Sequence, residues 1–431
     1  MNIIIALLAL SFLIIVHELG HFAVAKLAGI KVLEFSLFMG PKLFEIKKGE
    51  TVYSIRAIPL GGFVKMEGEE ERSDDKRAFS RQPVLTRAAV IAAGPVMNIL
   101  AALIILIFIL SSTGYFTTTV SQVVEGSPAH ESGIRTGDKI LSYDGKPILY
   151  PSDVQLFLFG GKGKEADIEI LRNGQKISAK IKPEIYPSKR YILGFTTEAE
   201  YGENSLIVRQ VSQGYPAQAA GMKPQDKIVR IDDADIKSKK EIREYLEAKK
   251  GQEVTIWVER GEQLVKLNPV KPVIDQGSEF YDIGIQFAQD KGNIIQVIKN
   301  SWLYSVSIGR NVLYSLVWLI SGRVEFNQVS GPIGIVSSIG DVVQQGPTLG
   351  MKVLMLLNFM VFISINLGLF NLIPFPALDG SKLVLLLVEA IRKKPIPPEK
   401  EAFISMIGFA LLILLMIFAT YNDLLRIFRG G

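Results

Sequence analysis

The sequence predicts a polytopic α-helical membrane protein with four transmembrane helices and a soluble α+β region between the second and third of them. The mean hydropathy of +0.28 is high for a soluble chain of 431 residues, so part of the chain is expected in lipid. Four stretches are apolar and reach about 20 residues, the length that crosses a bilayer. The region between the second and third stretches is less apolar and contains an internal duplication, as two soluble domains would.

Composition excludes several classes of protein. Hydrophobic residues make up 48% of the chain and charged residues 21%, which excludes intrinsic disorder and a collagen-like fibre. The absence of cysteine excludes disulfides, thiolate metal sites and a cysteine nucleophile. The net charge of +5 is small and scattered, so no nucleic-acid partner is predicted. The chain has three histidines, which are His17, His21 and His130.

The predicted spans determine the topology. They cover residues 1–29, 88–112, 349–380 and 402–422. The first could instead be a cleaved signal peptide, but it lacks a basic leader and is interrupted by ionisable side chains. Residues 30–87 and the connection before the last span are basic, and short basic connections stay in the cytoplasm. Both termini and the soluble region are therefore predicted on the outer side, periplasmic or extracellular.

The soluble region consists of two similar halves. Residues 127–148 recur as residues 215–236, with eight identical positions at an offset of 88 residues. Because this period is long, two tandem α+β domains are predicted, residues 115–200 and residues 201–289, rather than a solenoid. Each half ends in a strand with an apolar-glycine-apolar pattern. These strands are Leu193-Gly194-Phe195 and Ile283-Gly284-Ile285.

Residues 290–348 connect the soluble region to the third span. They are moderately apolar and carry scattered charges. Trp302, Tyr304, Tyr314 and Trp318 are side chains that suit a membrane–water interface. Amphipathic helices on the outer membrane surface are therefore predicted for this segment.

A metal-binding motif lies inside the first predicted span. In His17-Glu18-Leu19-Gly20-His21 two histidines are four residues apart, so both imidazoles lie on one face of a helix and reach one zinc ion. Glu18 lies beside them as a general base. The alternative is a chance match or a pair of hydrogen-bonded core histidines. A charge at the centre of a membrane costs roughly 2.5–3.5 kcal/mol, which favours a functional site.

A carboxylate is predicted as the third ligand. Catalytic zinc takes three protein ligands and keeps one position open, and His130 belongs to the outer region. The candidate is Asp379, in the segment Asn371–Gly380, whose two prolines interrupt the third span. The alternative is a turn that closes the span with a solvated aspartate. In the predicted topology, His17 and Asp379 both lie in the cytoplasmic half of the membrane.

Together these features resemble the site-2 protease family of intramembrane zinc metalloproteases, and within it the bacterial regulator-of-sigma-E protease type. The resemblance covers essentially the whole chain. It rests on the H-E-x-x-H of the first span, the N-x-x-P-x-P-x-L-D-G of the third and the duplicated region between spans. It also includes the segments Gly61–Met66, Gly94–Asn98 and Ser330–Ile335.

The resemblance implies a role for each matching residue of the catalytic motifs. His17, His21 and Asp379 would hold zinc, and Glu18 would activate a water molecule. Asn371 would help to align an unwound substrate chain.

The resemblance also implies two substrate-handling parts. Residues 52–66 would form a β-hairpin that re-enters the membrane and offers an edge to an extended substrate. The edge would include Gly61, Gly62 and Phe63. The alternating residues 51–56 favour a strand, but a small cytoplasmic hairpin without a substrate role is the alternative.

The two soluble domains would be PDZ-like, with peptide grooves at the two apolar-glycine-apolar strands. The resemblance favours a size filter that excludes substrates with large outer domains. A peptide sensor and domains without any ligand are the other interpretations.

The implied function is intramembrane proteolysis in the inner membrane of a bacterium, as part of a stress response. The substrates would be single-span proteins, such as anti-sigma-factor-like proteins or signal-peptide remnants, already cut by an upstream site-1 protease. The first alternative is a PDZ membrane scaffold with a structural metal site. The second is a metal transporter, although the second and fourth spans contain no ionisable side chain. The third is a soluble metalloprotease with a membrane anchor.

Overall fold

The chain folds into two compact units. The computed structural model describes residues 2–69, 73–187, 189–197, 206–276, 279–324, 331, 333–336 and 348–428. One unit consists of residues 1–115 and 291–431, and the other of residues 116–290. Among the described residues, five helices are long and apolar enough to cross a membrane, which agrees with a polytopic membrane protein. They are Ile4–Leu27, Val84–Thr113, Ile294–Ile320, Leu349–Leu372 and Glu399–Leu425.

The first two membrane helices, α1 (Asn2–Leu27) and α2 (Val84–Thr113), pack closely against each other. Gly20 makes this approach possible, because a Cβ atom at that position would lie 2.3 Å from the carbonyl oxygen of Ala93. Small residues allow membrane helices to bring their backbones together in this way. The two helices therefore meet near the H-E-x-x-H motif of α1.

A small sheet lies between α1 and α2 in sequence. Its strands are β1 (Val32–Lys48) and β2 (Thr51–Met66). Residues 44–48 pair antiparallel with residues 51–55. On one side, residues 34–37 lie beside residues 52–55, and the two segments run in the same direction. On the other side, residues 32–37 pair antiparallel with residues 62–66. Within the described part of the chain, residues 62–66 therefore form an outer edge of this sheet.

The second unit consists of short strands and helices. In chain order they are β3 (Tyr115–Val123), α3 (Pro128–Glu131), β4 (Lys139–Tyr143), β5 (Lys146–Pro147), α4 (Ser152–Gly161), β6 (Ala166–Arg172), β7 (Gln175–Ile181), β8 (Glu184–Tyr186), β9 (Lys189–Ile192), β10 (Phe195–Thr197), β11 (Val208–Val211), α5 (Pro216–Ala220), β12 (Lys227–Ile231), β13 (Ala234–Asp235), α6 (Lys239–Lys249), β14 (Ile256–Arg260), β15 (Gln263–Lys266), β16 (Val273–Gln276), β17 (Phe280–Asp282) and β18 (Ile285–Asp290).

The second half of this unit is nested inside the first. The largest sheet has the strand order β18-β3-β4-β6-β7, so the last strand pairs with the first. β17 pairs with β8 and β16 with β9, while the sheet β13-β12-β14-β15 lies between these pairs in sequence. The amide of Ala217 donates to the carbonyl of Leu193 at 2.7 Å, and the amide of Val124 donates to that of Gly284 at 2.9 Å. Residues 193–195 therefore belong to the second half and residues 283–285 to the first.

This pairing differs from the predicted tandem order, in which residues 192–195 close the first half and residues 282–285 the second. The physical reason is that both segments carry the same apolar-glycine-apolar pattern, and a strand pattern does not specify a distant partner. The predicted boundary between residues 200 and 201 lies outside the described residues.

Each half contains the same buried ion pair. Asp138 accepts a hydrogen bond of 2.7 Å from Nε of Arg172, and Asp226 accepts one of 2.7 Å from Nε of Arg260. The hydrogen bond from Arg172 holds the pKa of Asp138 below its usual value. Burial alone would raise the pKa of Asp226, but the hydrogen bonds it accepts, that from Arg260 foremost, outweigh burial and lower this pKa. The duplication thus extends from the sequence to the electrostatics of each half.

The long helices of the first unit continue after the second unit in sequence. These later helices are α7 (Ile294–Ile320), α8 (Leu349–Leu372), α9 (Asp379–Arg392) and α10 (Pro398–Phe428). Buried side chains of α2, α7 and α8 share one apolar core, which includes Leu106, Ile308 and Val361. The carbonyl of Pro376, in the α8–α9 connection, would lie 2.2 Å from a Cβ at Gly408, so α10 packs directly on this connection.

Helix α7 lies in the segment for which amphipathic surface helices are predicted. It is one helix of 27 residues, and its length and composition would allow it to cross a membrane as a fifth span. The other parts of the predicted segment, residues 325–330, 332 and 337–347, lie outside the described residues, as do Ser330 and Pro332 of the Ser330–Ile335 motif. The amides of Gly331 and Gly334 donate to the carboxylate of Asp423, near the end of α10.

Candidate metal centre and active site

Two histidines of α1 face each other in a nearly buried position. Nε2 of His17 and Nε2 of His21 are 3.1 Å apart, and their side chains are 9% and 12% exposed. Nδ1 of His21 lies 2.8 Å from the carbonyl oxygen of Val90 on α2. Because a carbonyl oxygen only accepts, Nδ1 of His21 carries the proton and Nε2 presents a lone pair toward His17.

Asp379, the first residue of α9, completes the group. Its Oδ2 atom lies 3.1 Å from Nε2 of His17 and 3.5 Å from Nε2 of His21. One ligand atom from each of the three residues lies within 4.8 Å of the others. The structure thus brings together the three residues that the sequence predicts as metal ligands.

The connection before α9 adopts an unusual backbone to deliver Asp379. Pro374 and Pro376 prevent α8 from continuing, and Ala377 has a φ of +76°, a left-handed conformation that is uncommon for alanine. Gly380 allows a close turn, because a Cβ there would lie 2.2 Å from the carbonyl oxygen of Ile373. The strained backbone leads directly to the candidate ligand Asp379, and backbone strain often accompanies functional sites.

The donor set fits zinc. Oδ2 of Asp379 is buried and has no hydrogen-bond partner among the described residues, so a cation would satisfy an otherwise orphaned acceptor. Two imidazole nitrogens and one carboxylate oxygen are a typical ligand set of a catalytic zinc site, with the fourth position open. His17, His21 and Asp379 could therefore hold the ion together.

Gly94 of α2 provides the space for this group. A Cβ at Gly94 would lie 2.3 Å from Nε2 of His21 and 2.8 Å from Nε2 of His17. Only glycine lets α2 approach the imidazoles this closely. Asn98, one turn further along α2, is fully buried, and its Nδ2 atom lies 3.3 Å from Nδ1 of His17.

The sheet edge runs past the catalytic motif. A Cβ at Gly62 would lie 3.8 Å from Cγ of Glu18, so the candidate base and the edge at residues 62–66 are neighbours. Gly61 has a φ of +70°, which a side chain would strain, and Phe63 packs under the guanidinium of Arg56 at 5.0 Å. Asn371 lies half-buried in the last turn of α8, eight residues before Asp379.

Two ion pairs hold α9 near the centre. Arg87, in the first turn of α2, forms a two-pronged ion pair with Glu389 of α9, and both side chains are mostly buried. Lys382, one turn after Asp379, lies 3.1 Å from the carboxylate of Glu69, three residues beyond β2. The ligand-bearing helix is thereby tied both to α2 and to the segment that follows the sheet.

The predicted peptide-groove residues lie in the second unit. Leu193, Gly194 and Phe195 line a cavity of about 610 Å³, which helix α6 closes on its other side. Residues of α6 that face it include Ile242, Arg243 and Leu246. Ile283 is buried, and Gly284 packs so closely on Ser127 that a Cβ would lie 2.2 Å from the serine Cβ. Ile285 begins β18 and is half-buried.

The segment Gly94–Asn98 is part of the family resemblance, but the sequence alone predicts no role for it. A signal for its importance was available, because Asn98 is a polar amide in an otherwise apolar span. Such residues inside a membrane are costly and mark functional sites or helix contacts.

Comparisons with known proteins agree with this centre. The model of peptidase family M50 matches residues 5–415, which include the histidines and Asp379. Zinc metalloprotease RasP of Shouchella clausii is 31% identical over 99% of this chain and 100% of the relative. Zinc metalloprotease RasP of Geobacillus kaustophilus is 30% identical over 99% and 98% of the two chains. Regulator of sigma-W protease RasP of Bacillus subtilis is 29% identical over 96% of each.

The predicted membership of the site-2 protease family and the predicted zinc cofactor are thereby confirmed. The family match spans both halves of the ligand set and all the long apolar helices except the end of α10. The chain belongs to peptidase family M50 and is a multi-pass membrane zinc metalloprotease of the site-2 type.

Proposed function

We propose that this protease hydrolyses a peptide bond inside the transmembrane segment of single-span membrane proteins. The observation that carries the proposal is the convergence of His17, His21 and Asp379 around one point, with the histidines inside a helix apolar enough to cross a membrane. These three residues would hold the zinc ion. When bound, zinc supplies Lewis-acid activation of water and of the scissile carbonyl group.

Glu18 would act as the general base and then as the general acid. It would accept a proton from the attacking water and pass it to the leaving amine. The closeness of Gly62 to Cγ of Glu18 supports this role, because a substrate bound along that edge would run past the carboxylate.

The edge at residues 62–66 would hold the substrate in an extended conformation. A helix hides its carbonyls in intrahelical hydrogen bonds, so a transmembrane substrate must unwind before hydrolysis. Strand addition provides backbone partners for the unwound segment. Gly61, Gly62 and Phe63 would contact this strand, and the amide of Asn371, close to the Asp379 loop, would hydrogen-bond the unwound chain.

The second unit would form two PDZ-like domains that act as a size filter on the outer side. The cavity beside Leu193, Gly194 and Phe195 supports a surface able to receive an extended chain end, whereas the buried Ile283 and the packed Gly284, followed by Ile285, favour a structural role for the other groove. A substrate with a large outer domain would be excluded until an upstream site-1 protease had shortened it.

The substrates would include anti-sigma-factor-like proteins and signal-peptide remnants in a bacterial inner membrane. The name of the Bacillus subtilis relative, a regulator of sigma-W, supports a sigma-factor pathway and a stress response. Both termini and the second unit would lie outside, with the metal centre in the cytoplasmic half. Tyr115, Val297 and Leu354 share one apolar core, which supports this topology. The end of α2 and the beginnings of α7 and α8 would then lie at the same depth, on the outer side of the membrane.

The decisive experiment compares wild type with Glu18→Gln in detergent. Zinc content and cleavage of a single-span substrate with a short outer tail are measured for both. One zinc per chain in both proteins, with cleavage by wild type alone, is expected. Equal cleavage by both would remove Glu18 as the base. Zinc without cleavage of any such substrate would favour a PDZ membrane scaffold with a structural metal site.

A further inference from the structure

One face of α2 contacts both histidines of the metal centre. Val90, Gly94 and Asn98 are spaced four residues apart and therefore lie along the same face of the helix. The carbonyl of Val90 lies 2.8 Å from Nδ1 of His21, and Nδ2 of Asn98 lies 3.3 Å from Nδ1 of His17. A histidine that binds metal through Nε2 keeps its proton on Nδ1, so each Nδ1 atom needs an acceptor.

The orientation of the Asn98 amide decides whether His17 has such an acceptor. With the amide nitrogen toward His17, Nδ1 of His17 must accept, its proton moves to Nε2, and the lone pair for the metal is lost. The two ends of an amide have the same shape, so the orientation is assigned from the partners. The requirement of a metal-binding His17 turns the oxygen toward Nδ1.

We infer that Asn98 is a positioning residue of the zinc centre, whose side-chain oxygen accepts a hydrogen bond from Nδ1–H of His17 and holds this imidazole in the metal-binding tautomer. Asn98 is fully buried, and the hydroxyl of Ser364 on α8 donates a hydrogen bond of 2.8 Å to the backbone carbonyl oxygen of Asn98. The side chain therefore starts from a backbone that a third helix holds in place.

The same arrangement makes α2 the common support of both imidazoles. A backbone acceptor orients His21, a side-chain acceptor orients His17, and Gly94 between them lets the helix come close enough for both contacts. Hydrogen-bond acceptors on the second nitrogen of a metal-binding histidine fix the orientation of the ring and raise its basicity, and their loss weakens metal affinity about 10–100-fold.

Two substitutions at Asn98 separate an acceptor role from a packing role. Asn98→Asp keeps the shape of the side chain and can only accept a hydrogen bond. Asn98→Leu keeps about the same volume and can neither donate nor accept one. Asn366→Leu is the matched control, because Asn366 on α8 donates to the carbonyl of Phe362 in its own helix at 2.8 Å. Zinc affinity of the full-length chain in detergent is measured by competition with a chelator, and thermal unfolding of the zinc-free proteins is measured in parallel.

The expected result is that Asn98→Leu weakens zinc affinity by about 10–100-fold, while Asn98→Asp and Asn366→Leu stay close to wild type. Wild-type affinity in Asn98→Leu, or loss of zinc in a folded Asn98→Asp, would overturn the inference. Nitrogen-15 NMR of histidine-labelled wild type tests it without any substitution, since the chain has three histidines. A protonated Nδ1 on His17 in the zinc-loaded protein is expected, and a protonated Nε2 would overturn the inference.

The inference rests on the proposed zinc centre, and the two fail in different ways. Absence of zinc from wild type would overturn the centre and the role of Asn98 together. Zinc in wild type, lost in His17→Ala but unaffected in Asn98→Leu, would overturn the role of Asn98 alone.

Discussion

Substitution of Gly94 by alanine is expected to push the metal ligands apart. The added Cβ would lie 2.3 Å from Nε2 of His21, and ordinary van der Waals contact starts at 3.4 Å, so the imidazole or α2 must move by about 1 Å. A displacement of about 1 Å near the chemistry can cost roughly 100-fold in rate. Overpacking of this kind also costs about 1–3 kcal/mol of stability.

The assay compares zinc affinity, thermal unfolding and cleavage for wild type, Gly94→Ala and Gly350→Ala. Gly350 lies in the first turn of α8, and a Cβ there would meet no described residue within 4 Å, so it controls for the addition of a methyl group to a membrane helix. Gly94→Ala should lose at least about 100-fold in cleavage rate and bind zinc more weakly, whereas Gly350→Ala should behave as wild type. Wild-type zinc affinity and cleavage in Gly94→Ala would refute the reasoning.

Three further predictions test other parts of the structure. The lowered pKa of Asp138 means that its ion pair stabilises the second unit fully above an unfolded value of about 3.9, and that this contribution is lost as pH falls through the folded value. The hydrogen-exchange protection factors of residues 116–290, which are corrected for the intrinsic slowing of exchange at low pH, should therefore fall on acidification, and Arg172→Leu should lower them already at neutral pH. Unchanged protection factors would contradict this. Arg87→Ala should weaken zinc affinity, because α9 loses its ion pair with α2. The reversed pair, Arg87→Glu combined with Glu389→Arg, should recover part of this affinity. If the losses of the two single substitutions simply added in the double variant, the role of the ion pair would be contradicted. Ala377→Gly should raise the thermal midpoint, since the left-handed backbone costs alanine about 1–2 kcal/mol, and a lower midpoint would show that no strain is stored there.

The convergence of His17, His21 and Asp379 could be predicted because it depends on helix geometry and on the order of the spans. The spacing of His17 and His21 specifies one helix face whatever the rest of the chain does. The absence of cysteine and the number of predicted spans left Asp379 as the third candidate. The structure brings Oδ2 of Asp379 to 3.1 Å from His17 although 361 residues lie between them in sequence.

Features that depend on long-range pairing could not be predicted in the same way. Residues 193–195 and 283–285 have the same pattern, and it is the pairing in the fold, including the hydrogen bonds of Ala217 and Val124, that shows which half each segment joins. The sequence also did not predict that residues 294–320 form the single long helix α7. Lys299 and Arg310 are compatible with short amphipathic helices on the membrane surface as well as with one long helix. In both cases the local pattern is compatible with more than one tertiary environment.

Helix α2 shows why a span that offers no candidate metal ligand can still affect the chemistry of a membrane enzyme. It contributes no ligand, yet Gly94 sets the distance to both imidazoles, and the contacts at Val90 and Asn98 lie on the far nitrogens of His21 and His17. Through Arg87 it also holds α9, which carries the third ligand. The candidate ligands lie on two helices, and contacts from a third helix orient them. A substitution on α2 can therefore change metal binding without touching a ligand, because the geometry of the centre is a property of helix packing.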